Sequence, residues 1–441
     1  DEVRQVVDSK KDYKLDFKHL DDQDGLLKEK VQAWVERPFD LQSNWPIRFA
    51  LWQVTENEYV LLGCIHHIAC DGWSLGILQQ DLALAYNRQC SLAELPIQYK
   101  DYAVWITSHS DNKAAESFWL GYLKDIPQVH QLPAHNLEQG RVNAVGAKKI
   151  VAIDSALSAQ VSRCCKELAI TPFVLYRSVF ALLVSRFSRQ NEVILGSPEA
   201  GRNASSLESL IGFFINTLVF RHQFTQGDIS VRDWLISEQQ STLSVFEHKH
   251  YPYDQLTSLL SLDREHRHNP IFQLMFSLQN TLSKQVEFDG FDIRPFEGEH
   301  AVAKFDITLD VVQGKHNDFS HWEYNQSIFS SELIETMAQT YHQLLAKVCT
   351  DLDIRLKDLS TGEQTPFTAA PLPAYAGTFI NQIFAQPGDS IALVDEEKQL
   401  TYGELVSKVT ALAAQLPDAS SQKNIAIWQE REIGRASCRE R

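Results

Sequence analysis

Between Tyr59 and Tyr86 the hydrophobic pattern of this sequence changes its period. Tyr59-Val60-Leu61-Leu62-Gly63-Cys64-Ile65 is a continuous apolar run of strand length, the pattern expected of a strand buried on both faces. From Ser74 onward, Leu75, Leu78, Leu82, Ala85 and Tyr86 share one helical face, with Ser74 as the expected N-cap. The chain must therefore turn from strand to helix within Ile65-His66-His67-Ile68-Ala69-Cys70-Asp71-Gly72-Trp73-Ser74. The corner sets two histidines, an aspartate and a glycine on a turn between a buried strand and an amphipathic helix. Catalytic residues concentrate on such loops.

An imidazole titrates close to neutral pH, so His67 is suited to taking a proton from a nucleophile and returning it later. Asp71 follows four residues on and is suited to fixing the loop, while Gly72 leaves room for a ligand or another backbone. Two plainer readings stay open. His66 and His67 also fit a satisfied core pair. His67 and Asp71, with Cys64 or Cys70, also fit a metal site, but no second ligand cluster at metal-site spacing occurs in the sequence, and no metal is expected.

His66-His67-x-x-x-Asp71-Gly72 resembles the HHxxxDG signature of the condensation domains of non-ribosomal peptide synthetases, a signature shared across the chloramphenicol-acetyltransferase-like superfamily. Later segments extend the resemblance in order. Residues Arg37 to Leu51 match the family's approach to the active-site strand, and Tyr99-Lys100-Asp101-Tyr102-Ala103-Val104-Trp105 is similar to its YxDYAxW motif. That aromatic segment reads as core packing rather than chemistry. Gly212-Phe213-Phe214-Ile215-Asn216-Thr217-Leu218-Val219-Phe220-Arg221 resembles GxFVNTxxxR. A polar Asn216 inside an apolar strand needs hydrogen-bond partners, which fits a structural bond and a channel lining equally.

Two motifs match loosely. His248-Lys249-His250-Tyr251-Pro252-Tyr253-Asp254 stands where the family has HQDxPFE, and Arg264 to Gln273 resembles RDxSRNPLFQ with changes at Arg267 and His268. The resemblance implies that Asp71 pairs with an arginine, which would drive its pKa down and make it structural. Arg264 is the expected partner.

With 441 residues and 44% hydrophobic content the chain can build more than one core. A formal charge of −16 argues against nucleic acid as a partner. No apolar run reaches membrane-spanning length, and seven scattered cysteines suit reduced thiols in the cytoplasm. Cys164-Cys165 reads as helix packing. Asp1 to Val7 reads as a strand already under way; in the resembled family this stretch follows the first two motifs, including an RHExxR-type element, so the resemblance implies an N-terminal lobe incomplete at its start.

The implied architecture is an α/β (α+β) fold of two chloramphenicol-acetyltransferase-like lobes forming a V with a central tunnel. Residues 1–145 form the first lobe and 146–360 the second, whose helices include one capped by Thr171 with Pro172 in its first turn. Residues 361–377 are a linker rich in Pro, Ala and Gly. Residues 378–431 resemble the opening of an adenylation domain through Leu400-Thr401-Tyr402-Gly403-Glu404-Leu405. Residues 432–441 read as sequencing-adapter translation and are left out of the fold.

The resemblance implies peptide-bond formation between a donor acyl or peptidyl thioester and an acceptor aminoacyl thioester. Donor and acceptor carrier proteins would present them on 4′-phosphopantetheine arms, with no cofactor bound by the domain itself. The implied site has His67 at the chemistry with His66 and Asp71 supporting it, and Gly72, Trp73 and Asn216 along the substrate channel. Epimerisation by the same superfamily, and carrier docking without catalysis, remain the alternatives.

Overall fold

The computed structural model describes residues 4–7, 13–20, 26–88, 92, 94–108, 113–134, 145–224, 228–260, 269–280, 288–294, 296, 302–314, 317–359, 388–395 and 398–413. It divides into two compact units, Asp1–Glu363 and Gln364–Arg441.

The first unit opens with β1 (Asp16–His19), α1 (Leu27–Val35), β2 (Ile47–Gln53) and β3 (Tyr59–Ile65). The strands form a three-stranded sheet in the order β1-β2-β3, with β1 parallel to β2 and β3 antiparallel to it. Residues 4–7, expected in a strand, lie in none. Val31 and Trp34 of α1 pack against Ala50, Trp52 and Leu62 of the sheet. Arg48 lies 4.2 Å from the centroid of the Phe39 ring and donates to the carbonyls of Trp34, Val35 and Arg37. It thereby satisfies acceptors that the end of α1 leaves open. Only one face of β3 is covered, because Leu61 is 52% exposed on the other. The apolar run therefore reads as more deeply buried than the strand is.

Next come α2 (Gly72–Arg88), α3 (Tyr99–Ser108) and α4 (Lys113–Tyr122). The stripe expected to bury α2 is largely exposed, with Leu75 at 46%, and the buried residues of this helix are Ser74 and Ala83. The second sheet has six strands: β4 (Gly146–Ile153), β5 (Glu192–Glu199), β6 (Asn216–Gln223), β7 (Leu274–Asn280), β8 (Ile307–Gln313) and β9 (Asp318–Asn325). Their order is β4-β9-β8-β7-β5-β6, with β5–β7 and β7–β8 parallel and the rest antiparallel.

Between these strands run α5 (Ser155–Leu168), α6 (Pro172–Ser188), α7 (Val231–Glu247), α8 (Tyr253–Leu259) and α9 (Ser331–Thr350). Side-chain caps start four of them: Asp154, Thr171, Ser230 and Ser330 each accept from a backbone N–H in the first turn. Buried residues recur at helical spacing along α5 (Leu157, Val161, Cys164, Cys165, Leu168), so the adjacent cysteines are packing, as expected. All five described cysteines are free thiols. Although β4 begins at the expected lobe boundary, Trp119 and Leu123 already pack with Leu218, Phe220 and Phe272 of the second core. Packing therefore assigns α4 to the second lobe. No single helix among the described residues is long and apolar enough to cross a membrane.

In the second unit, β10 (Ile391–Asp395) and β11 (Lys398–Thr401) form an antiparallel pair followed by α10 (Tyr402–Ala413). Thr401 and Glu404 make a reciprocal capping box: the Thr401 N–H donates to Glu404 Oε2 (2.9 Å), and the Glu404 N–H donates to Thr401 Oγ1 (3.3 Å). The linker 361–377 and residues 432–441 lie outside the described residues.

Candidate active site

β3 ends at Ile65, the chain makes a single 3-10 turn over His67–Ala69, and α2 begins at Gly72. His66 enters the turn in an extended conformation, and its Nδ1 accepts the Ile68 N–H (3.2 Å). This fixes His66 as support for the corner. The cap of α2 is Asp71 rather than Ser74: the Ser74 N–H donates to Asp71 Oδ1 (2.8 Å). A carboxylate at the helix N-terminus also meets the positive end of the macrodipole.

Asp71 is 2% exposed, and both its oxygens are engaged. Arg202 Nη2 donates to Oδ1 (3.1 Å) and Oδ2 (3.3 Å), and the Phe214 N–H donates to Oδ2 (3.1 Å). Burial alone would raise this carboxyl. Hydrogen bonds from Ser74 and Phe214, with the Arg202 charge, outweigh that and hold it below the usual carboxylate range. Asp71 is thus a fixed anion and a poor proton acceptor.

The arginine beside Asp71 is Arg202, while the expected Arg264 lies outside the described residues. Arg202 also donates to Ser74 Oγ (2.8 Å) and to the carbonyls of Leu207 (2.5 Å) and Leu210 (2.8 Å). Its guanidinium lies 4.1 Å from the centroid of the Phe214 ring. Ser74 Oγ in turn donates to the Gly212 carbonyl (2.9 Å) and accepts the Gly212 N–H (3.1 Å). These bonds clamp the start of α2 to the loop before β6. Aromatic packing reinforces the clamp, because Tyr99 and Tyr102 of α3 lie on Phe214 with ring centroids 5.1 and 4.7 Å away. Tyr99 and Tyr102 thus pack against the small cluster around Phe214, but Val104 (72% exposed) and Trp105 (46%) do not, so the YxDYAxW-like segment is core only in part. Gly212 permits this approach, since a Cβ there would lie 2.2 Å from the Tyr99 ring.

His67 stands exposed at this junction, with its ring 5.1 Å from that of Phe213 and nearly perpendicular to it (85°). Neither of its ring nitrogens bonds to another described residue. Burial and the neighbouring Asp71 charge push the Cys70 thiol up, which disfavours a thiolate there. Among the described residues, no group of three or more His, Cys, Asp and Glu side chains is arranged to hold a metal.

Gly72 is exposed, and a Cβ added there would meet nothing within 4 Å. Trp73 is 51% exposed and donates from Nε1 to the Glu208 carbonyl (3.0 Å), so it too ties α2 to the loop before β6. Asn216 is the first residue of β6, and its amide is fully engaged. Nδ2 donates to the carbonyls of Lys249 (2.7 Å) and Tyr251 (2.9 Å), while Oδ1 accepts the N–H groups of Thr217 (2.9 Å) and Tyr253 (3.1 Å). Of the two readings of Asn216, the geometry supports the structural one and leaves no polar group free for a channel.

A family model described as "Condensation domain" matches residues 1–366. Gramicidin S synthase 2 of Aneurinibacillus migulanus is 30% identical over 447 residues, which cover 95% of this chain and 10% of that protein. Malpinin synthetase of Mortierella alpina is 30% identical over 422 residues, 91% of this chain and 5% of that protein. The chain thus spans only a small part of the length of either relative. Among solved structures, the X-domain from teicoplanin biosynthesis matches with a TM-score of 0.71 at 19% identity, over 79% of this chain and 81% of that one. A four-domain nonribosomal peptide synthetase bound to AMP and glycine gives 0.67 at 21% identity, over 91% of this chain and 33% of that one. At these identities the structures speak for a shared two-lobed fold.

Proposed function

Because the chain belongs to the condensation-domain family of non-ribosomal peptide synthetases, we propose that it joins a donor acyl or peptidyl thioester to an acceptor aminoacyl thioester, with His67 at the reacting amine. The observation that carries this reading is the division of labour at the corner. Asp71 is consumed by Arg202, Ser74 and Phe214, whereas His67 faces outward with both ring nitrogens open.

In the reaction, the acceptor amine attacks the donor thioester carbonyl. A C–N bond forms, the C–S bond breaks, and the proton lost by the amine reaches the departing thiolate of the donor arm. His67 would hydrogen-bond the amine and carry that proton. Holding two tethered substrates together supplies much of the rate by itself, so the imidazole need add only positioning and proton transfer. Carrier proteins would bring both substrates on 4′-phosphopantetheine arms, and open space at Gly72 suits such an arm. The second unit, with its Thr401–Glu404 capping box, would be the opening of an adenylation domain in the same cytoplasmic synthetase.

The test loads donor and acceptor carriers with aminoacyl-pantetheine, follows both by intact-protein mass spectrometry, and determines the configuration of the released donor residue by chiral chromatography. A dipeptidyl acceptor is expected. A mass-neutral inversion of the donor residue would assign epimerisation instead, and bound carriers without either change would assign docking alone.

A further inference from the structure

A histidine that handles protons is ordinarily oriented by a hydrogen bond to its second ring nitrogen, and His67 has none among the described residues. The torsion that turns an imidazole about its Cβ–Cγ bond is broad and roughly two-fold, so an unbonded ring at an exposed position needs some other restraint. The ring that meets it is Phe213, 5.1 Å away and edge to face. Phe213 is 39% exposed, so burial alone does not account for how firmly its backbone is held. The Tyr99 hydroxyl donates to the Phe213 carbonyl (2.8 Å). On either side, Ser74 Oγ holds both polar groups of Gly212 (2.9 and 3.1 Å), and Asp71 Oδ2 holds the Phe214 N–H (3.1 Å). Three consecutive residues outside any helix or strand are thus pinned by four hydrogen bonds, and the side chain at their centre rests on His67.

We propose that Phe213 is the positioning residue for His67: its ring fixes the imidazole, and Asp71, Ser74 and Tyr99 act on His67 through it. The inference rests on the reading of His67 as the reacting group. An edge-to-face aromatic contact of this kind corresponds to a bias of roughly 2- to 10-fold between ring orientations, and the kinetic effect should be of that size.

Two readouts test it in the 441-residue chain. Without substrate, the His67 ring C–H resonances, assigned by their loss in His67→Ala, should carry a ring-current displacement. In Phe213→Leu they should move towards the position of a free histidine, and in Phe213→Tyr they should stay. With loaded carriers, Phe213→Leu should lower kcat by up to about 10-fold with the KM for both carriers unchanged, and Phe213→Tyr should restore it. Tyr99→Phe, which keeps the ring but frees the Phe213 carbonyl, should give a smaller change in the same direction. Unmoved His67 resonances in Phe213→Leu would overturn the proposal, as would an unchanged kcat or an effect confined to KM. If the resonances move as expected while the wild-type chain joins no substrates, the contact stands and the peptide-bond reading falls.

Discussion

Arg202 and Asp71 are both almost fully buried as side chains, and each has other polar partners besides the other. Such a pair is worth little against a well-packed apolar replacement, but removing one member strands the other charge. Arg202→Ala should therefore destabilise the first unit by about 3–5 kcal/mol in chemical denaturation, and the paired change Asp71→Asn with Arg202→Met should recover most of that loss. Similar losses in the single and paired variants would refute the account of the clamp. The sign of the pH dependence follows from the depressed Asp71 pKa. A carboxyl held lower in the folded state than in the unfolded one stabilises fully above the unfolded value of about 3.9, and that contribution fades as pH falls through the folded value. Between about pH 5 and about pH 3, the unfolding midpoint of wild type should fall more steeply than that of Asp71→Asn. Gly201 makes the neighbouring constraint purely steric. It has φ +69°, and a Cβ there would lie 1.9 Å from the Phe214 carbonyl oxygen. Gly201→Ala should cost more than about 1 kcal/mol, and a melting temperature equal to wild type would contradict this.

Among the elements, those that depend on local rules were legible in the sequence. Thr171 and Pro172 announce α6, and the adjacent Cys164 and Cys165 read as helix packing, which is how they sit in α5. The strand–turn–helix corner was legible too, since the change of period at Ile65 lies in the chain itself. Arg202 was not. It meets Asp71 across 131 residues, and no spacing rule reports a partner so distant. The exposed stripe of α2 misled for a related reason: periodicity shows that a helix has an apolar face, but not what covers it. Asn216 is an element-scale test of the same point. Its amide ties the first residue of β6 to the turn that precedes α8. Asn216→Ala leaves two carbonyls and one N–H of that turn without this partner, at a cost of about 1–3 kcal/mol. Hydrogen exchange should then speed up at Tyr253 while the Phe214 amide, held by Asp71, keeps its protection. Equal acceleration at both sites would mean that the two tethers are one cooperative unit.

For the first unit as a whole, the arrangement separates support from chemistry. The six-stranded sheet and its helices carry the loop before β6, the three-stranded sheet carries the histidine corner, and the clamp holds one to the other. Every charged partner in that clamp is already neutralised, which leaves His67 as the group on its open side. The most direct test of this account is the single-turnover rate of transfer between loaded carriers, compared for wild type and His67→Ala with acceptors of differing amine basicity. His67→Ala should slow transfer by about 10²–10⁴-fold for acceptors whose ammonium is hardest to deprotonate, and less for the others. Equal rates for the two proteins with every acceptor would contradict it.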